Sequence, residues 1–206
     1  MTAHGQGTQV IENQERFDKT LALFDAANAE DPNLDEGQPK DLLYGRRMSD
    51  MIARFAPDAS EVAQLAVRAQ HIQRWKVPRN TYPMDKEGYH AWRTGLYTFH
   101  ADTAGELMRQ AGYDDAMIER VKKAVGKRGI KSNPETQLLE DIADLVFIEN
   151  YMLAFAQSKP DYDEEKWLDI IRKTWKKMSR NAQAFALSGK ITLPAPLVPL
   201  ITKAIS

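Results

Sequence analysis

The chain has 206 residues, of which 43% are hydrophobic and 28% charged, and its formal net charge is −1. This balance is typical of one soluble globular domain, and the near-neutral charge argues against a protein that coats nucleic acid. No apolar run approaches the roughly eighteen residues of a membrane span, no secretory signal opens the chain, and cysteine is absent. We therefore expect no membrane segment, no nucleic-acid partner, no disulfide and a cytoplasmic location.

Helical periodicity dominates the chain, and no alternating strand pattern or internal repeat occurs. Apolar residues three and four apart predict helices over 11–28, 40–56, 61–76, 88–111, 114 to about 125, 134–157 and 163–187. Pro57 ends the second of these helices, and Gly112 is suited to end the fourth. The segment KVPRNTYPMDKEG, with its two prolines, is predicted to be a loop.

These elements predict a single all-α domain, a helical bundle over residues 11–190. Residues 1–10 are expected to form a flexible N-terminus. The N-terminal third is acidic, but no linker separates it from the rest of the chain. The tail LPAPLVPLI has too many prolines for a regular helix throughout, so we expect residues 191–206 to pack over the domain.

Positive charge is concentrated around RAQHIQRWKVPRNTYP, residues 68–83. Residues 68–100 contain six basic and two acidic residues and three of the four histidines. Such a short excess suits a small anionic, phosphorylated ligand, because the planar fork of arginine binds phosphate through paired hydrogen bonds. Candidate ligand-binding residues are Arg68, Arg74, Trp75, Arg79, Tyr82, Trp92 and Arg93. The alternative is that the arginines form ordinary ion pairs and the aromatic rings only pack.

Two histidines and an aspartate form a candidate metal site. His71 and His100 lie on neighbouring predicted helices, and Asp141 and Asp144 interrupt a helix that is otherwise mostly apolar. Carboxylates buried in such a helix are costly unless they are paired or metal-bound. A His/His/Asp set with open positions suits Zn, Mn, Fe or Co, and a metal-bound water could attack a phosphoester. The alternative is two ordinary histidines and a paired aspartate.

Several longer stretches resemble an uncharacterised family described only as a domain of unknown function. They include DAANAEDPN, LLYGRRMSDM, FHADTAGELM and PETQLLEDIADLVFIENYM, besides the block from ASEVAQLAV to YHAWR. Some members of that family carry a glutamyl-tRNA synthetase label. The chain has no glycine-rich phosphate loop and no parallel-sheet pattern, so we reject that label. The resemblance implies an all-helical, HD-domain-like fold, divergent from the HD-domain metal-dependent phosphohydrolases.

The resemblance to HD domains implies roles for individual residues. His71 and His100 match the two histidines, and Asp141, in a Leu-Glu-Asp sequence, matches the distant aspartate, with Asp144 as the alternative. The resemblance also makes Glu140 and Arg93 candidate catalytic residues, Glu140 as a general base or as a partner that orients a histidine. Ala101 departs from the pattern, because HD domains have a metal-binding aspartate there.

Three functions follow from these expectations. The first is a divergent HD-type phosphohydrolase that uses a divalent metal ion on a small phosphorylated metabolite or nucleotide. The second is a non-catalytic HD-like module that binds an anionic ligand or a protein partner, which the loss of an aspartate at Ala101 favours. The third is an iron oxygenase on the same scaffold, which generally needs more histidines than this chain offers.

Overall fold

The computed structural model describes residues 10–206, so the expected flexible N-terminus lies, except for its last residue, outside the described residues. The expectation of an all-α fold is confirmed. The helices of residues 10–206 are α1 (Gln14–Ala29), α2 (Lys40–Phe55), α3 (Glu61–Arg68), α4 (Lys86–Ala111), α5 (Asp115–Val125), α6 (Pro134–Val146), α7 (Met152–Gln157), α8 (Glu164–Lys177), α9 (Arg180–Leu187) and α10 (Val198–Ile205). None of these helices is long and apolar enough to cross a membrane.

Side-chain caps begin most of these helices. A short polar side chain accepts a hydrogen bond from the first helical turn at Asn13, Ser60, Asp85, Asp114, Asn133, Asp163 and Ser179. Such a cap satisfies an N–H group that the helix leaves unpaired and typically contributes about 1 kcal/mol. Gly112 ends α4 in the left-handed conformation (φ 99°), as its position in the sequence predicts.

The core surrounds α3, which packs against α1, α2, α5 and α6. Leu65 and Ala66 of α3 have no exposed surface, and neither do Leu139 and Ile142 of α6. Truncating a leucine at such a position to alanine typically costs about 2–5 kcal/mol, because a cavity remains. Helices α3 and α6 therefore supply the centre of the core.

The helix predicted over 61–76 is wrong beyond Arg68. Asn28 of α1 accepts a hydrogen bond from the backbone N–H of Gln73 at 2.9 Å, and Gln73 takes a left-handed conformation (φ 51°). This contact from 45 residues away replaces a helical hydrogen bond, so the chain continues as turns and two short 3-10 segments, Arg74–Lys76 and Arg79–Thr81. His71 therefore lies in a turn and not on a helix.

Three smaller features also differ from the sequence pattern. The helix expected over 163–187 breaks at Met178, whose backbone is extended (ψ 146°), and becomes α8 and α9. The segment expected over 134–157 is helical throughout, but a wide π-helical turn at Phe147–Tyr151 separates α6 from α7. A two-stranded antiparallel hairpin, β1 (Leu34–Asp35) and β2 (Gln38–Pro39), precedes α2.

The C-terminal tail combines a 3-10 turn, Ala195–Leu197, with α10. Helix α10 packs against α8, and Leu197 and Ile201 are buried. Pro194 directly precedes the 3-10 turn, and Pro196 and Pro199 are the second residues of the two segments, where no N–H is needed for a helical hydrogen bond.

Candidate functional site

A cavity of about 1090 Å³ opens beside the turn that carries His71. Its walls come from the start of α2, the segment 70–78, the N-terminal half of α4, and the continuous helical stretch of α6 and α7. Eight of the residues singled out in the sequence line it, namely His71, Arg74, Trp75, Trp92, Arg93, His100, Glu140 and Asp144. The cavity is therefore the place where the predicted site residues meet.

Three candidate ligand-binding residues do not line the cavity. Arg68 binds Asp25 of α1 through two parallel hydrogen bonds of 2.8 and 2.7 Å. Arg79 donates to the backbone carbonyls of Tyr82 and Asp85 and so holds the loop before α4. The hydroxyl of Tyr82 lies over Gly95 of α4. Because none of the three lines the cavity and both arginines already have structural partners, we do not assign Arg68, Arg79 or Tyr82 to it.

Asp141 also faces away from the cavity. Its carboxylate accepts hydrogen bonds from the backbone N–H of Ser179 at 2.7 Å, from the Ser179 hydroxyl at 2.6 Å and from the Gln137 amide at 2.9 Å. Asp141 therefore fixes the residue that caps α9. Asp144, almost one turn of α6 further along, is the aspartate that lines the cavity.

The two histidines of the cavity lie close together, with their ring centroids 5.9 Å apart. The His100 Nδ1 donates to the Ile72 carbonyl at 2.8 Å, and its Nε2 is buried without a partner in residues 10–206. Burial lowers the pKa of His100 to about 4, so its ring is neutral and Nε2 is an acceptor. The His71 ring stacks on Tyr44 with centroids 4.1 Å apart.

Arg74 contacts both His71 and Trp92. Its Nη1 lies 3.1 Å from the His71 Nε2, and because a guanidinium can only donate, His71 accepts there. Burial, with the charge of Arg74, lowers the pKa of His71 well below its ordinary value, so the ring is neutral. The guanidinium also lies 5.0 Å from the centroid of the Trp92 ring, whose N–H is bound to the Val77 carbonyl.

Two lysines and two carboxylates form another part of the cavity wall, in which Lys127 is 9% exposed and Lys177 44% exposed. Lys127 Nζ lies 2.5 Å from Glu140, and Lys177 Nζ lies 2.7 Å from Glu140 and 2.8 Å from Asp144. Burial acts to raise the pKa of Glu140, but the two ammonium groups prevail and lower it to about 2. Burial raises the pKa of Asp144 to about 7, against the effect of Lys177, and its second oxygen has no partner in the described part of the chain.

The family model for a domain of unknown function (DUF4202) matches residues 18–201, nearly the whole chain. The chain belongs to this family. No curated protein and no solved structure matches the chain. The cavity of this DUF4202 protein therefore has to be interpreted from its own geometry.

The residues of the cavity do not fit a bound divalent metal ion in this arrangement. Within residues 10–206, no three His, Asp or Glu side chains converge closely enough to hold one. Two of the expected ligands already have hydrogen-bond donors: His71 Nε2 accepts a hydrogen bond from Arg74, and Asp141 accepts one from Ser179. Glu140 binds an ammonium group through each of its two oxygens, and Asp144 binds Lys177 through one of its two.

Lys127 and Lys177 are cavity residues that the sequence did not indicate. Lys127 follows α5 in the loop KRGIKSNP, where no periodicity assigns a side chain to a face. Lys177 belongs to the basic run RKTWKKMSR at the end of α8, which is typical of a solvated helix face. Glu140 is the one signal that could have indicated them, because a buried glutamate in an apolar helix requires cationic partners.

Proposed function

We propose that the cavity of this DUF4202 protein binds a small phosphorylated ligand. The observation that carries the proposal is the pair of arginines on its wall. Arg74 donates to His71 and Arg93 donates to Tyr97, and no carboxylate of residues 10–206 lies within salt-bridge distance of either guanidinium. Arg74 is half-buried and Arg93 is exposed. Asp41 acts on the pKa of Arg74 but forms no salt bridge with it, so the Arg74 charge is incompletely matched, which is costly, and an anionic ligand would offset that cost.

The remaining wall supports a ligand that has a non-phosphate part. Aromatic rings line the cavity at Tyr44, Trp75, Trp92, Tyr97, Phe147, Tyr151 and Phe155. Ligand pockets of proteins commonly combine such apolar surface with a few convergent polar groups. The volume of about 1090 Å³ would hold a ligand of metabolite size.

The experiment that tests this proposal is calorimetric titration with pyrophosphate and a panel of phosphorylated metabolites. Arg74→Met should weaken binding at least tenfold, because it removes the unpaired guanidinium. Arg68→Met is the matched control, since Arg68 is bound to Asp25 outside the cavity. Arg68→Met should lower stability and leave binding as in the wild type. Equal affinity of wild type and Arg74→Met would refute the proposal.

A second candidate is a divergent HD-type, metal-dependent phosphohydrolase. One observation favours it: His100 donates its Nδ1 hydrogen to a carbonyl and keeps Nε2 free, as metal-binding histidines usually do. His71 and Asp144 would complete the set, with Asp144 in place of Asp141, and a metal there would supply an activated water. Arg74 would first have to leave His71.

Metal content measured on untagged protein tests the second candidate. After incubation with Mn, Fe, Co and Zn, it requires about one metal ion per chain, lost in His100→Ala, together with phosphatase activity. Absence of a bound metal under all four conditions would remove this candidate. The binding proposal would remain.

A further inference from the structure

The backbone of Lys127 is unusual for a non-glycine residue. It follows Gly126 directly after α5 and adopts a left-handed conformation (φ 57°). Residues other than glycine enter this region at a cost, and positions that keep it are frequent at functional sites. Here the conformation accompanies a side chain that lines the cavity and is only 9% exposed.

The ammonium of Lys127 has N–H groups that no described residue accepts from. A lysine ammonium has three N–H groups, and within residues 10–206 Lys127 Nζ has one hydrogen-bond partner, Glu140. The other N–H groups of this buried cation have no partner among the described residues. An anion in the cavity would supply one.

The charge of Lys127 acts on the histidine pair. Lys127 lines the same cavity as His71 and His100, and its charge contributes to the lowered pKa of both rings. Arg74 adds a second positive charge, with its Nη1 3.1 Å from the His71 Nε2. A divalent cation between these histidines would face both charges, whereas a phosphoryl group would be attracted by both.

We propose that Lys127 is the fixed cation of the cavity, that it binds the phosphoryl group of the ligand directly, and that this binding requires no metal ion. The inference rests on the proposed binding function and goes beyond it. It states that the ammonium of Lys127 supplies the positive charge that a metal ion would supply. Ala101, where HD domains have a metal-binding aspartate, agrees with this assignment. It is buried, and it lies next to Gly126, the residue before Lys127.

Titration of pyrophosphate into metal-stripped protein, in the presence and absence of a chelator, tests the inference. Wild type should bind equally in both conditions. Lys127→Met should bind at least tenfold more weakly. Lys123→Met is the control on the exposed face of α5 and should bind as wild type does.

Glu140→Gln separates a direct role of Lys127 from a structural one. The variant removes the carboxylate that competes with the phosphoryl group for Lys127. Because burial lowers the pKa of Lys127 and Glu140 raises it, the titration is made at mildly acidic pH, where the lysine holds its proton. Pyrophosphate should then bind as tightly as to the wild type or more tightly. The double variant Lys127→Met/Glu140→Gln leaves no unpaired buried carboxylate beside the methionine. It should fold and still bind at least tenfold more weakly than Glu140→Gln alone.

Failure of the inference and failure of the proposed function give different results in these titrations. Binding that disappears with the chelator and returns with Mn or Zn would overturn the inference and leave the binding function standing. Unchanged affinity in both Lys127 variants would overturn the role of Lys127 alone. A wild type that binds pyrophosphate in neither condition would overturn the proposed function and the inference with it.

Discussion

Asp141 of α6 accepts hydrogen bonds from both the backbone N–H and the hydroxyl of Ser179, the residue that caps α9. Asp141→Ala would leave these donors unmatched in a partly buried place. We expect a loss of about 2 kcal/mol in the free energy of unfolding, measured by urea denaturation, with anion binding unchanged. If the variant had wild-type stability and did not bind the anion, Asp141 would be a residue of the binding site.

His100 should make the protein sensitive to mild acid. Its pKa is about 4 in the folded protein against an ordinary 6.5, so the unfolded chain takes up the proton first as pH falls below 6.5. Stability is then lost as pH falls, by about 2 kcal/mol at pH 5 relative to pH 8 from this residue alone.

His100→Asn isolates that effect, because its amide can still donate to the Ile72 carbonyl. The loss of unfolding free energy between pH 8 and pH 5 should be about 2 kcal/mol smaller in this variant than in wild type. Urea denaturation at the two pH values measures both differences. An identical pH dependence in the two proteins would mean that His100 is not held neutral.

Trp92 should act on ligand binding through Arg74. The indole ring lies under the guanidinium and its N–H is bound to the Val77 carbonyl, so the ring fixes the Arg74 side chain. Trp92→Leu should weaken pyrophosphate binding about fivefold, and Trp92→Phe, which keeps an aromatic face, by less. In an Arg74→Met background, Trp92→Leu should have no further effect. A full additional loss there would show that Trp92 contacts the ligand itself.

Gly95 and Tyr82 should be energetically coupled. A Cβ added at Gly95 would stand 2.8 Å from the Tyr82 hydroxyl, which is too close. In wild type, this clash should offset the gain of about 1 kcal/mol that alanine brings to a helix interior. In Tyr82→Phe, Gly95→Ala should stabilise the protein by about 1 kcal/mol more than it does in wild type. Equal effects in both backgrounds would show that the Tyr82 hydroxyl is not next to Gly95. Tyr82 would then remain a candidate ligand-binding residue, as the sequence predicted.

The helices could be predicted from the sequence because the buried face of each helix requires apolar residues three and four positions apart. Leu65, Leu139 and Ile142 are fully buried, and their spacing shows in the sequence. The end of α3 could not be predicted, because it depends on Asn28, which is 45 residues from Gln73. Local patterns contain no information about such a partner.

The site was predicted in outline only. Spacing suggested His71, His100 and an aspartate, and the structure places both histidines and Asp144 on one cavity. The choice between Asp141 and Asp144 depends on the start of α9, because Ser179 takes one of them. Lys127 was missed because its direction depends on a left-handed backbone in a loop.

The wide turn at Phe147–Tyr151 determines the direction in which the side chains of α7 point. Such a turn contains one residue more than a regular α-helical turn. Deleting one residue there would produce a continuous α-helix and rotate later side chains by about 100° around its axis. Phe155, now on the cavity wall, would leave it. At this turn the number of residues matters more than their identity, so insertions and deletions there are the changes that would most alter the shape of the cavity.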